Sequence, residues 1–134
     1  MTSQTELLLR EKFAEVDYDP STGVLTARWI GFLNSDQVHK VVEVLYAAVK
    51  KYQVQLHLSD QSQMKVLTKE IQQTVGTKVL PELENLGLRK MAVFASEDVF
   101  AQAAAQSVHT LYIGRLSIHM FDSKPACHQW LARQ

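Results

Sequence analysis

The feature of this sequence that most constrains its fold is an alternation, along the chain, between two hydrophobic periods. Some short segments carry an apolar residue at every second position, which is typical of half-buried β-strands, whereas longer segments follow the 3.6-residue period of amphipathic helices. Ala14, Val16 and Tyr18 show the first period. The second period places these residues on one helical face: Val38, Val41, Val42, Leu45, Val49 and Tyr52. Strands separated by helices predict parallel neighbours joined by right-handed crossovers, so the expected fold class is α/β.

Turn and capping residues set the expected order of elements. Residues 19–23 have turn chemistry and predict a hairpin between the first two strands. The polar residues expected to start four helices are Asn34 or Ser35, Thr68, the segment 96–98 and Ser123. Pro81 is expected to kink or restart the second helix, and Gly87 to end it. The predicted order is β-β-α-β-α-β-α-β-α, a mixed and mostly parallel sheet of about five strands with an antiparallel strand at one edge.

The composition indicates one globular domain. The chain has 134 residues, of which 46% are hydrophobic and 21% charged, and no Gly/Ser/Pro-rich linker divides it. We assign residues 1–12 to an N-terminal extension and residues 13–134 to the α/β domain. The apolar run Leu7-Leu8-Leu9 is too short for a signal peptide or a membrane span, and a single cysteine fits a reducing compartment. The expected location is the cytoplasm.

Charge and motifs exclude several classes of function. Fourteen basic residues balance fourteen acidic ones and are scattered, which argues against nucleic-acid binding. The five histidines have no paired metal-ligand spacing and there is no cysteine cluster, so no metal is expected. His57 and His119 are interpreted as sheet histidines, and Cys127 as a small packing residue. No GxSxG, GxGxxG or GxxxxGK[ST] motif is present. The sequence therefore predicts no catalytic residues, no cofactor and no enzymatic activity.

Several short motifs carry a resemblance to a known family. They are Gly23-Val24-Leu25 leading to Trp29-Ile30-Gly31-Phe32, then Leu58-Ser59-Asp60, Pro81 with Leu86-Gly87-Leu88, Met91-Ala92-Val93-Phe94, and Phe121-Asp122-Ser123 with Ala126 and Trp130-Leu131. With the element order, these motifs resemble STAS domains, the fold of bacterial anti-sigma-factor antagonists, and in particular the SpoIIAA-like or STAS/SEC14-like branch. The resemblance covers about residues 13–132.

The resemblance implies a bacterial regulatory module that binds a protein partner, with a second copy of the chain as one candidate partner. In such domains a Ser or Thr beside the end of the third strand is often phosphorylated. The third strand is expected to end at Leu58, so a polar loop follows it, with Ser62 as the first candidate for the switch and Ser59 as the second. The predicted partner or switch residues are Ser59, Asp60, Ser62, Ser96 and Asp98. The alternative for the serines and Asp60 is that they only form turns by bonding local backbone amides.

The SEC14-like relatives imply a second hypothesis, in which the domain carries a small apolar, lipid-like ligand. Trp29 and Phe32 flank Gly31 at the end of the second strand, and small alanines line the third helix. The residues expected near such a pocket are Trp29, Phe32, Val99 and Phe100. The same aromatic residues are equally consistent with core or edge packing.

Overall fold

The computed structural model describes residues 5–133. The strands are β1 (Glu6–Glu11), β2 (Ala14–Asp19), β3 (Val24–Gly31), β4 (Leu56–Met64), β5 (Lys90–Phe94) and β6 (Ser117–Phe121). The helices are α1 (Ser35–Tyr52), α2 (Lys69–Thr74), α3 (Leu80–Asn85), α4 (Val99–Leu111) and α5 (Lys124–Ala132), with a π-helical segment, Val75–Val79, joining α2 to α3. The predicted α/β class, with a mostly parallel sheet, is confirmed.

The sheet has six strands in the order of the sequence, not the five that were expected. β1, β2 and β3 form an antiparallel meander, and β3, β4, β5 and β6 are parallel. The additional strand is β1, whose residues fall in the segment 1–12 that we assigned to an extension. Its pairing with β2, which places Arg10 opposite Glu15, makes it part of the sheet. Residues 1–4 of that segment lie outside the described part of the chain.

Helices cover the two faces of the sheet unequally. One face packs against α1, α2, α3 and α4 in the larger hydrophobic core, which includes Val42, Leu83 and Val108. The other face packs against α5 alone, where Leu58 and Ala92 contact Cys127 and Leu131. The domain is therefore a three-layer sandwich with one thick and one thin helical layer.

The fourth strand is longer than the sequence predicted. β4 continues to Met64, so the segment 59–63, expected to be a loop, lies within the sheet. Its pairing with β3 passes from Arg28–Asp60 to Ile30–Gln63, which inserts one extra residue into β4. This β-bulge turns the side chains that follow it, because the alternation of faces is interrupted there.

Pro81 restarts the second helix, as predicted. A proline has no N–H to donate, and its ring clashes with the carbonyl four residues earlier in a regular α-helix. The π-helical segment widens the turn before it, where the N–H of Leu80 donates to the carbonyl of Val75 five residues back. Pro81 then occupies the first turn of α3.

Candidate functional site

A cavity lies between the sheet and the thick helical layer. Its volume is about 70 Å³. Strands β3 to β6 form its floor, and α1, the α2–α3 segment and α4 form its walls and roof. Most of the lining is apolar and includes Val42, Leu80, Met91, Val93 and Ile118. An apolar lining of this kind favours apolar occupants, because a water molecule placed there finds few hydrogen-bonding groups.

One strand supplies the polar corner of the cavity. His57, Ser59 and Gln61 alternate along β4 and all line the cavity, whereas Leu58 faces α5. The indole Nε1 of Trp29 donates to Ser59 Oγ over 3.0 Å, and Gln61 Nε2 donates to the same oxygen over 3.1 Å. Both lone pairs of the Ser59 hydroxyl are thereby used, and its hydrogen is left to donate.

His57 is buried and its hydrogen bond fixes its tautomer. Nδ1 lies 2.7 Å from the carbonyl oxygen of Leu25, which accepts only, so Nδ1 carries the hydrogen. Burial lowers the pKa of His57 to about 4, and the bond to Leu25 opposes that shift only in part. The ring is therefore neutral at pH 7, and Nε2 presents a lone pair.

The mouth of the cavity is marked by the lining residues that are not fully buried. His109 on α4 is exposed. The half-buried lining residues are Ala105 on α4, Leu67 and Val75 between β4 and α3, and Trp29, Gln61 and Met120 on the sheet. The lining therefore reaches solvent at His109.

The predicted switch residues Ser59, Asp60 and Ser62 all lie on β4, within the sheet, and not in a surface loop. Ser59 is 2% exposed and Asp60 is 6% exposed. They point to opposite faces of the sheet: Ser59 into the cavity, and Asp60 towards α5, where its Oδ2 lies 3.8 Å from Lys124 Nζ. Ser62 is half-buried, and its hydroxyl donates to Asp60 Oδ1 over 2.6 Å. A phosphate on Ser62 would lie beside that carboxylate and lose this hydrogen bond.

Ser96 and Asp98 have local partners. Ser96 Oγ accepts from the N–H of Asp98 over 3.1 Å, and Asp98 is the N-cap of α4, whose Oδ1 accepts from the N–H of Phe100 over 2.8 Å. These bonds satisfy backbone donors at the start of a helix. Their role toward a partner stays a prediction.

The four predicted pocket residues do not lie together. Trp29 lines the cavity, whereas Phe32, Val99 and Phe100 are 73%, 67% and 71% exposed. These three follow the carboxyl ends of β3 and β5, and Val66, 40% exposed, follows the end of β4. Because β3, β4 and β5 are parallel neighbours, the four exposed side chains lie at one edge of the sheet. We call these four residues the carboxyl-edge patch.

Sequence reasoning missed His57, Ser59 and Gln61 as cavity residues. The residues from Ser59 to Gln63 are all polar, so hydrophobic alternation stops at Leu58 although the strand continues to Met64. This polar run suggested a loop, and the strand was ended at Leu58. A run of polar residues inside a strand, on either face of the sheet, cannot be distinguished from a turn by hydrophobic period.

The remaining candidate features are a metal site, the single cysteine and membrane-spanning helices. No group of three His, Cys, Asp or Glu side chains among residues 5–133 could hold a metal ion. Burial, with the nearby Asp60 carboxylate, raises the pKa of Cys127 to about 11, and a thiol of this kind is a poor nucleophile. Over the same residues, no helix combines the length and apolar character that crossing a membrane requires.

The element order, the mostly parallel sheet and the helical layers define a single-domain α/β protein with a SpoIIAA-like fold. A solved structure of an uncharacterized protein of the DUF3478 family from Shewanella loihica PV-4, described as having a SpoIIAA-like fold, is similar over 98% of both chains. Its TM-score is 0.51 and its sequence identity is 13%. No protein-family model and no curated protein matches the chain. The similarity that the sequence motifs indicated is therefore confirmed at the level of the fold.

Proposed function

We propose that this protein is a non-enzymatic binding module that takes a small apolar ligand into the cavity between the sheet and the thick helical layer. The observation that carries this proposal is the cavity itself, about 70 Å³ in volume with a mostly apolar lining. Protein interiors are otherwise close-packed, and the atoms that line an unfilled apolar cavity lack dispersion contacts on the side of the cavity. A ligand that fills the space restores those contacts.

The size of the cavity limits the ligand. An engineered apolar cavity of about 150 Å³ admits benzene, so a cavity of half that volume is too small for a six-membered ring and suits a short branched molecule of about four non-hydrogen atoms. Each methylene group removed from water adds about 0.8 kcal/mol to binding. A ligand of this size is thus expected to bind in the millimolar range.

A matched pair of variants tests this proposal. Ala105 lines the cavity, whereas Ala103, two residues earlier on the same helix, is exposed. We expect Ala105→Phe to fill the cavity beside α4 and abolish binding of isobutane, and Ala103→Phe to leave it intact. Isobutane titrations monitored by the methyl resonances of lining residues such as Val42 and Val93 provide the measurement.

One result would contradict the ligand proposal directly. It is that the methyl resonances of the wild-type protein stay unchanged up to the solubility limit of isobutane. A resonance change that occurs equally in both alanine variants would also count against it, since binding would then be elsewhere.

A separate observation favours a second candidate function, binding of a protein partner. The carboxyl-edge patch exposes two phenylalanines and two valines at one edge of the sheet. A single large apolar residue on a surface is normal, whereas several at one edge of a sheet suggest an interaction site. Partners of parallel α/β sheets commonly bind at the carboxyl ends of the strands. The partner would present an apolar surface, since the patch contributes few hydrogen-bonding groups.

Site-specific crosslinking in living cells tests the second candidate. A photoreactive phenylalanine analogue at position 100 should give one discrete adduct, whereas the same analogue at the exposed Gln129, on α5, should give none. Phe32→Ser should reduce the adduct at position 100. An adduct of twice the protein mass identifies a second copy as the partner, and the absence of any adduct at position 100 would remove the basis for this candidate.

A further inference from the structure

The cavity contains a hydrogen-bond acceptor that the protein does not use. His57 is 3% exposed and Nδ1 donates to Leu25, whereas no described residue donates to Nε2. Among residues 5–133, every fully enclosed side-chain nitrogen or oxygen has a hydrogen-bond partner. Since Nε2 has none, it must face open space, and the space that His57 lines is the cavity. A buried acceptor left without a donor carries a desolvation cost.

A donor lies beside this acceptor. Ser59 follows His57 by two residues on the same face of β4, which separates their Cα atoms by about 6.5–7 Å. Its hydroxyl accepts from Trp29 and Gln61, so its own hydrogen is available to the cavity. One oxygen atom placed between the two side chains can therefore donate to His57 and accept from Ser59.

We propose that the ligand is a small, mainly apolar molecule with a single hydroxyl group, which donates to His57 Nε2 and accepts from the Ser59 hydroxyl. This inference rests on the proposed ligand-binding function and adds the chemical class of the ligand. Short branched alcohols such as 2-propanol combine such a group with an apolar body. The hydroxyl enters first, towards the polar corner formed by β4, and the apolar body lies among the valine, leucine and methionine side chains.

A trapped water cluster satisfies the same two groups less well. A buried water needs two to four polar partners, and a cavity of about 70 Å³ exceeds the roughly 30 Å³ that one water occupies in the liquid. Beyond the polar corner the lining is apolar except for the exposed His109, so a second and third water inside the cavity would find few partners. A hydroxyl on an apolar body fills both parts of the cavity.

2-Propanol and isobutane form a matched pair of test ligands, because a hydroxyl in one replaces a methyl in the other. We expect 2-propanol to bind the wild-type protein despite its better hydration in water. The variant His57→Phe keeps a ring at position 57 but removes the acceptor. It should lower the affinity for 2-propanol about 10-fold and leave the affinity for isobutane unchanged or improved.

A second readout needs no variant and so does not depend on whether His57→Phe folds. The ¹⁵N resonance of His57 Nε2 should move upfield when 2-propanol is added, because the lone pair then accepts a hydrogen bond, and should not move with isobutane. If isobutane binds and 2-propanol shows neither a His57-dependent affinity nor an effect on Nε2, the hydroxyl-ligand inference is wrong and the apolar-ligand function stands. If neither compound binds, both are wrong.

Discussion

The imidazole of His57 couples protonation to folding at the scale of a single residue. Its ring is buried and neutral, and its pKa lies at about 4 in the folded protein against about 6.5 in the unfolded chain. The other four histidines are exposed. Between these two pH values the unfolded state binds more protons than the folded state, so stability falls as the pH is lowered.

We predict that the free energy of unfolding decreases between about pH 6.5 and pH 4 by an amount on the order of 3 kcal/mol, with no further contribution from His57 below pH 4. His57→Asn retains an N–H donor for Leu25 but does not titrate in this range. Its stability should be nearly flat from pH 7 to pH 5. Urea unfolding at a series of pH values measures the difference, and parallel profiles for the two proteins would show that His57 is not the coupled group.

At the scale of the elements, the interrupted helix between β4 and β5 depends on one glycine. Gly76 is buried within the π-helical segment, and a Cβ atom placed on it would lie 2.8 Å from Leu111 Cβ and 3.0 Å from the Val108 carbonyl oxygen. Both of these atoms belong to α4. The absence of a side chain at position 76 therefore allows α4 to approach the π-helical segment closely, next to the mouth of the cavity.

Gly76→Ala is predicted to lower stability by about 1–2 kcal/mol. Overpacking against α4 costs about 1–3 kcal/mol, whereas the better helix propensity of alanine recovers up to about 1 kcal/mol. Lys78→Ala, an exposed change in the same segment, is the control and should alter stability by less than about 0.5 kcal/mol. Chemical denaturation compares the free energies of unfolding of the three proteins. A Gly76→Ala variant more stable than the wild-type protein would mean that α4 can shift away from the added methyl group without loss of stability.

The start of α1 gives a second prediction for an element. Asn34 Oδ1 accepts from the N–H of Gln37 over 2.8 Å, and Gln37 Oε1 accepts from the N–H of Asn34 over 2.9 Å, which completes a capping box. Asn34→Ala should therefore reduce stability by about 1 kcal/mol, as measured by urea unfolding. Ser35→Ala, at the next position, should change it much less. Equal effects of the two changes would argue against the cap as the cause.

At the scale of the whole molecule, the thin layer formed by α5 covers one face of the parallel strands. Leu58 and Ala92 on the sheet are buried against Cys127 and Leu131 of this helix. Release of α5 would expose one complete face of the parallel strands. The reactivity of Cys127 consequently reports the opening of this face, because its thiol is buried and its pKa is raised to about 11 by that burial.

We predict that a thiol reagent at pH 8 labels Cys127 in the folded protein at least on the order of 100-fold more slowly than in the unfolded protein. A reference cysteine introduced as Gln129→Cys, at an exposed position on the same helix, should be labelled at the rate of a free thiol. Labelling followed by mass spectrometry distinguishes the two sites. Rapid modification of Cys127 at native conditions would show that α5 detaches readily.

Local chemistry was sufficient to predict much of the fold. Four residues act through backbone groups within a few positions of themselves, so their effects could be predicted from the sequence. They are Asn34, one of two candidate N-caps of α1, Ser123, the N-cap of α5, Pro81, where the helix restarts, and Gly87, which follows α3. The six-residue strand β1 was missed, because its short apolar run has no clear alternation and its pairing with β2 depends on a contact outside its own segment.

The alternation of strands and helices follows from the sequence, since periodicity and caps are local properties of the chain. The positions of the site residues depend on tertiary packing. It places His57, Ser59 and Gln61 along a cavity, and it leaves Phe32, Val99 and Phe100 on the surface. The length of β4, its bulge and the approach of α4 to Gly76 set those positions. Each of these depends on pairing or packing between distant segments, and no local pattern encodes the geometry that results.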